Sequence, residues 1–376
     1  MAAFSTLIRG ALPPVGQRID LSGSAESPPE FEDFSSVWTA SGTTALALAL
    51  LAAKRRRPDV VTPRVLLPAY ACPDLASAAI AVDLHPVLVD TEANGAGYDL
   101  DALRVAWDDN VVALVAVNFL GIREKIGTLS EMARQRNAFL VEDCAQWYPE
   151  EPLHADAAVL SFGRGKPVNL LGGGAVLVNE GADRLRRVLT ESRADGLRLR
   201  ALAFSIATSR IPYAWLKRFS PIAIGATRYK ALDAFKALDR ERLSYLAANV
   251  RNWLAQDRWR ENFLDEFCRE MPFIESVAIS LAERRGRLLR YPILMASRSR
   301  RDKAVQRLND AGLGASEFYA KPLNCVEGVP GIVREQGGFP SATEFASHLL
   351  TLPLHVSVTA KDLARMADIL HWSGAT

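Results

Sequence analysis

From about residue 36 to about residue 180, short apolar runs alternate with segments of helical composition, and this cadence constrains the fold of the 376-residue chain more than any other feature. The runs are VLLPAY, HPVLVD, VVALVAVN, AFLVEDCA, AAVLSFG and AVLVN. Between them, TTALALALLAAKRRR, CPDLASAAIA and TLSEMARQR have the composition and spacing of helices. Strands so nearly continuous in apolar residues fit a sheet covered by helices on both faces. The pattern therefore predicts a wound, mostly parallel α/β sheet.

On either side the rhythm changes. Residues 1–35 are rich in Pro, Ser and Gly and read as an irregular N-terminal arm. Beyond about residue 240 one long helix is predicted, with Leu243, Leu246, Val250, Trp253 and Leu254 on one face and Phe263, Leu264 and Phe267 continuing the pattern. LLRYPILM, RDKAVQRLNDAG, SEFYAKPL, TEFASHLLTL and AKDLARMADIL then supply shorter strand and helix candidates. The expected organisation is the arm, a large α/β domain over 36–235 and a small C-terminal α+β domain over 236–376.

A formal charge of +2 gives no global reason to expect nucleic acid as a partner. The four cysteines lie far apart, and the five histidines show no ligand spacing, so neither a disulfide framework nor a metal site is expected. The N-terminus has no apolar core of signal length, and ALALALLAA is too short to span a bilayer. A cytoplasmic protein without membrane insertion is the expectation. One segment stands out. Between Glu180 and Lys230 eleven Arg or Lys face four acids, around the apolar LAFSIATSRIPYAWL. That composition is open to three readings: an ordinary surface or subunit interface, a docking site for an anionic substrate, or a membrane-surface element.

Candidate chemistry clusters at the ends of the predicted strands. SFGRGKPVNLLGGG (161–174) sets Lys166 among glycines, but Pro167 follows it where a phosphate-binding P-loop needs Ser or Thr and a helix. A nicotinamide site is disfavoured as well, since PAYACPD lacks G-x-G-x-x-G. SGTTAL (41–46) places Ser41, Gly42, Thr43 and Thr44 at a helix start, where free N–H groups, hydroxyls and the helix dipole suit a phosphate monoester; the same residues are also ordinary caps. AFLVEDCAQ ends a buried strand on Asp143, 23 positions before Lys166, so that adjacent strand ends can present a carboxylate and an amine to one crevice. A phosphate anchor, an inward carboxylate and a lysine together meet the needs of pyridoxal 5'-phosphate: its phosphate held, its ring nitrogen kept protonated, its aldehyde held by the amine.

The set SGTTAL, LLPAYACPDLASAA, HPVLVD, VEDCAQ, SFGRGK with its GGG, and HLLTLPLHVSVTAKDL resembles the DegT-type family of pyridoxal-phosphate-dependent nucleotide-sugar aminotransferases, of the aspartate aminotransferase fold (fold type I). The likeness runs from about residue 36 to the C-terminus, with a poorly matching stretch at about 180–240. By that resemblance Lys166 is the Schiff-base lysine, Asp143 the partner of the ring nitrogen and Gln146 a group beside the ring. Ser161, Gly42, Thr43 and Thr44 fall to the phosphate. The resemblance also implies glutamate as amino donor, a keto-sugar acceptor carried on a nucleotide, a role in polysaccharide or glycoconjugate synthesis, and a homodimer with a shared active site.

The departures fall mainly in the substrate pocket. Cys72 stands where many members carry a ring-stacking aromatic, which leaves Tyr70 as the substitute. GATRY (225–229) is the nearest match to a partner-subunit Gly-x-Asn-x-Arg pattern and offers Arg228. The usual Tyr-Pro-x-Pro-Leu-His reads YAKPLN, keeping Tyr319 and Pro322 but placing Ala320 and Asn324 at the proline and histidine. Arg164 beside the lysine either points inward to an anionic group or is a solvated loop charge. Two rivals follow: a pyridoxal-phosphate enzyme with another reaction or a non-sugar substrate, and a non-catalytic binding protein on the same scaffold.

Overall fold

In the computed structural model, residues 10–23, 26–193, 195–219, 228–271, 273–334 and 337–375 are described. Residues 1–9 of the predicted arm lie outside them. A seven-stranded sheet is built from β1 (Ser35–Thr39), β2 (Arg64–Pro68), β3 (His85–Val89), β4 (Val111–Val117), β5 (Phe139–Asp143), β6 (Ala157–Ser161) and β7 (Gly174–Val178). Their order is β1-β7-β6-β5-β4-β2-β3. β2 to β6 pair in parallel, whereas β7 is antiparallel to both β6 and β1. All seven residues of β4 are buried, as a strand covered on both faces requires.

The connections are helical. α1 (Gly42–Arg56) follows β1, α2 (Asp74–Ile80) follows β2, α3 (Leu100–Ala106) follows β3 and α4 (Ile126–Gln135) follows β4. α1 is buried along most of its length, Leu46, Leu48 and Leu50 included, so it is a core element rather than a surface one. The basic segment forms α5 (Leu197–Ala207) and α6 (Arg210–Phe219).

The predicted long helix is two: α7 (Arg240–Leu254) and α8 (Trp259–Arg269). The break is stabilised by Arg287, whose guanidinium donates to the carbonyls of Leu254 (3.0 Å) and Gln256, groups that a continuous helix would have satisfied itself. Leu254, assigned to the buried face, is exposed. A three-stranded antiparallel sheet follows, ordered β10-β9-β8, from β8 (Ile274–Ser276), β9 (Arg290–Met295) and β10 (Leu349–Pro353). It is accompanied by α9 (Arg298–Asp310), α10 (Pro340–His348) and α11 (Ala360–Ala375). SEFYAKPL forms neither a strand nor a helix along its length; Ser316 bridges Thr351, and a short 3-10 turn spans Leu323–Cys325. One apolar cluster runs without interruption from α1 and the first sheet to Ile293, Leu350 and Leu363 around the second.

Candidate active site

A cavity of about 280 Å³ opens at the C-terminal ends of β4, β5 and β6, where wound sheets place ligands. The strand pleat decides which acid of Glu142–Asp143 reaches it, because neighbours on a strand face opposite sides. Glu142 is fully buried and is consumed by Arg123 (2.8 Å from Nε to Oε1) and the Asn118 amide. Asp143 instead lines the cavity, its Oδ1 accepting the Ala145 N–H at 2.9 Å. Burial raises the Asp143 carboxyl above the ordinary carboxylate range, and the positive charge of Lys166 pulls it back.

Lys166 reaches the same cavity from the turn after β6. Its N–H donates to the Gly163 carbonyl at 3.3 Å, and Gly165 takes the left-handed conformation that closes the turn. Its ammonium has no hydrogen bond or ion pair among the described residues, which leaves it available to a ligand. Beyond it, the Leu170 and Gly172 N–H groups return to the Phe162 carbonyl, and Gly173 donates to the Ala40 carbonyl at 2.8 Å. The glycine run thus lies against the start of α1.

That start forms the opposite wall. Ser41 is the N-cap of α1, its Oγ accepting the Thr44 N–H at 3.1 Å and lying 3.0 Å from the Thr44 hydroxyl. Gly42 and Thr43 stand in the first turn of α1, where N–H groups have no carbonyl one turn earlier and the positive end of the helix dipole favours an anion. Gly42, Thr43 and Ser161 line the cavity. A methyl group on Gly42 would lie 2.6 Å from the Ser161 Cβ, so the close approach of helix and strand depends on glycine. Thr44 is buried in its bond to Ser41 and does not line the cavity.

The remaining predicted residues are distributed unevenly. Gln146 lines the cavity, accepts the Leu120 N–H and donates to the Tyr319 phenol oxygen at 3.2 Å. Arg164 is exposed at the rim. Tyr70 sits behind the wall, packed edge-on against Phe119, Tyr319 and Phe345, and donates its hydroxyl to the Tyr319 carbonyl. The wall itself is Cys72, whose thiol burial pushes up to about 12, helped by the nearby Asp74 and Asp143 charges; it is a neutral surface, not a thiolate nucleophile. Arg228 is exposed and pairs with Glu327 at 3.4 Å, away from the cavity; Gly225, Ala226 and Thr227 lie outside the described residues. Asn324 is likewise absent from the cavity lining, and its Oδ1 is buried without a partner among the described residues.

Asp74, the first residue of α2, was not anticipated. It lines the cavity and accepts the Thr43 hydroxyl at 3.1 Å. Its only sequence signal is an acid after Pro73 at a helix start, which serves helices everywhere.

The DegT/DnrJ/EryC1/StrS aminotransferase family model matches residues 33–371. The chain is 26% identical over 331 residues to the dTDP-3-amino-3,4,6-trideoxy-alpha-D-glucose transaminase of Micromonospora megalomicea subsp. nigra, covering 85% of this chain and 79% of that protein. It is 34% identical to Protein MosB of Rhizobium meliloti over 110 residues only, 29% of this chain and 21% of MosB. Among solved structures, the PLP form of the putative sugar aminotransferase Spr1654 from Streptococcus pneumoniae superposes with a TM-score of 0.66 at 18% identity, covering 100% of this chain and 96% of that one.

Proposed function

Because the chain belongs to the DegT/DnrJ/EryC1/StrS aminotransferase family, we propose that it is a pyridoxal-phosphate-dependent aminotransferase. In this reading it takes an amino group from glutamate and delivers it to a nucleotide-linked keto-sugar in polysaccharide or glycoconjugate synthesis. It works in the cytoplasm as a homodimer with a shared active site. Relatives named as nucleotide-sugar transaminases support the substrate class. The observation that carries the chemistry is the Lys166 amine, without a hydrogen bond or ion pair among the described residues, sharing a cavity with the buried Asp143 carboxylate at the ends of adjacent strands.

The residues fit the group. The first turn of α1 at Gly42 and Thr43, with the Ser161 hydroxyl, would hold its phosphate; Asp143 would accept from its ring nitrogen; Gln146 would flank it; and Lys166 would tether it. When bound, pyridoxal phosphate supplies an electron sink for breaking a Cα–H bond. The Lys166 Nζ then carries the proton, with Asp143 holding the ring nitrogen charged and Cys72 and Val159 excluding water from the walls.

The purified chain mixed with pyridoxal phosphate is expected to develop a visible absorbance band that glutamate removes and a keto-sugar nucleotide restores. Borohydride treatment should then fix the cofactor to Lys166 on peptide mapping, and Lys166→Ala should lose both band and activity. Labelling at another lysine, or an active Lys166→Ala, refutes the proposal. A band that resists glutamate retains the cofactor and rejects the transaminase.

A further inference from the structure

Among the described residues, those of the basic segment at 180–230 do not line the cavity, yet they include the largest group of exposed apolar side chains. α5 presents Leu199, Leu202 and Ile206, spaced three and four apart, and α6 presents Ile211, Trp215 and Phe219, spaced four apart, with Leu216 beside them. Leu199 is 73% exposed, Phe219 64% and Trp215 50%. The Trp215 and Phe219 rings stack on each other with centroids 5.3 Å apart, outside the core.

The inner faces of these helices are well anchored. Leu197 and Ala201 of α5 are buried, Tyr213 and Ala214 of α6 pack on Ala11, and Arg210 donates to the Asp362 carboxylate. The outward stripes are therefore a fixed surface of the fold, not frayed core. Single exposed apolar residues need no explanation, but seven on two successive helices do.

Charge selects the occupant. Residues 196–219 contain Arg198, Arg200, Arg210, Lys217 and Arg218 and no Asp or Glu. Arg200 pairs with Asp195 and Arg210 with Asp362, Arg198 donates to the Tyr245 hydroxyl with Glu241 nearby, and Lys217 feels the Asp310 carboxylate, so the two helices, with no acid of their own, stay a net cationic face. A second copy meeting this face by two-fold symmetry would set these cations against their own equivalents. An anionic lipid surface complements both features at once: Trp, Phe, Leu and Ile enter the headgroup–acyl boundary while Lys and Arg stay at the phosphates. No helix among the described residues is long and apolar enough to cross a membrane, so the contact is peripheral, with α5 and α6 lying flat.

We propose that the α5–α6 face docks this protein on the surface of an anionic phospholipid membrane. The test is flotation of the full chain with vesicles of phosphatidylcholine alone and of phosphatidylcholine mixed with phosphatidylglycerol. The wild type should float with the anionic vesicles at least about five-fold more than with the neutral ones, and added salt should reduce that fraction several-fold. Trp215→Ser combined with Phe219→Ser should abolish flotation while leaving far-UV circular dichroism and the melting temperature close to wild type. Lys217→Glu combined with Arg218→Glu should remove the preference for anionic lipid without touching an apolar side chain. Wild type that stays unbound with both vesicles overturns the proposal, as does a Trp215/Phe219 double variant that floats normally. Loss of self-association in that variant by sedimentation velocity, without vesicle binding by the wild type, would reassign the face to contact between copies.

Discussion

Thr43 donates a hydrogen bond from its hydroxyl to Asp74 at 3.1 Å, so the residue proposed to meet the cofactor phosphate is already engaged by a carboxylate. A negative group one hydroxyl away from a phosphate site opposes the charge that site must hold. Asp74→Asn keeps an acceptor for Thr43 and removes the charge. It is expected to tighten pyridoxal phosphate about three- to ten-fold, read as a dissociation constant by fluorescence titration of the cofactor-free chain; weaker binding would mean that Asp74 assists the site. At this scale the sequence was legible where one physical rule selects one residue. The pleat sends Asp143 rather than Glu142 into the cavity, and Lys166 is the only lysine in its glycine-rich turn. It was illegible where three-dimensional neighbours decide: Tyr70 is drawn behind the wall by Phe119 and Phe345, which are distant in sequence, and Thr44 is captured by its own cap.

At the scale of elements, the junction between the start of α1 and the end of β6 has no spare room. Gly42→Ala would press a methyl into Ser161 from 2.6 Å, on the cavity side of both elements. Expected are a loss of about 1–3 kcal/mol in stability by denaturant titration and a larger proportional loss of cofactor affinity, because the clash moves two proposed phosphate-binding residues together. Equal affinity in the variant would separate this junction from the phosphate site. The six anticipated strands all form, since continuous apolar runs bounded by turns can be buried in few other ways. β1 went unrecognised because SSVWT is short and half polar, an edge strand defined by its pairing with β7. The interruption after Leu254 depends on Arg287, more than thirty positions away, and no local propensity encodes it.

Across the whole molecule the described N-terminal segment is tied to distant parts of the chain. Ala11 donates to the Arg210 carbonyl, Leu12 to that of Gly312, and the Pro13 carbonyl accepts from His355 Nε2 at 3.1 Å. Because Nε2 carries the proton, the buried Nδ1 is an acceptor without a partner among the described residues, and burial depresses the imidazole from 6.5 to about 4. The folded chain therefore binds fewer protons here than the unfolded chain between these values. The contribution to stability is complete above pH 6.5 and is lost as pH falls toward about 4, up to about 3 kcal/mol. His355→Gln, which can still donate to Pro13, should flatten this dependence: between neutral pH and about pH 4.5 its melting temperature should fall by several degrees less than that of the wild type. Parallel curves would remove His355 as the cause.

These same ties set an order of events during synthesis. Residues 11–13 find their partners at residues 210, 312 and 355, so during synthesis these bonds stay unmade until those much later segments have emerged.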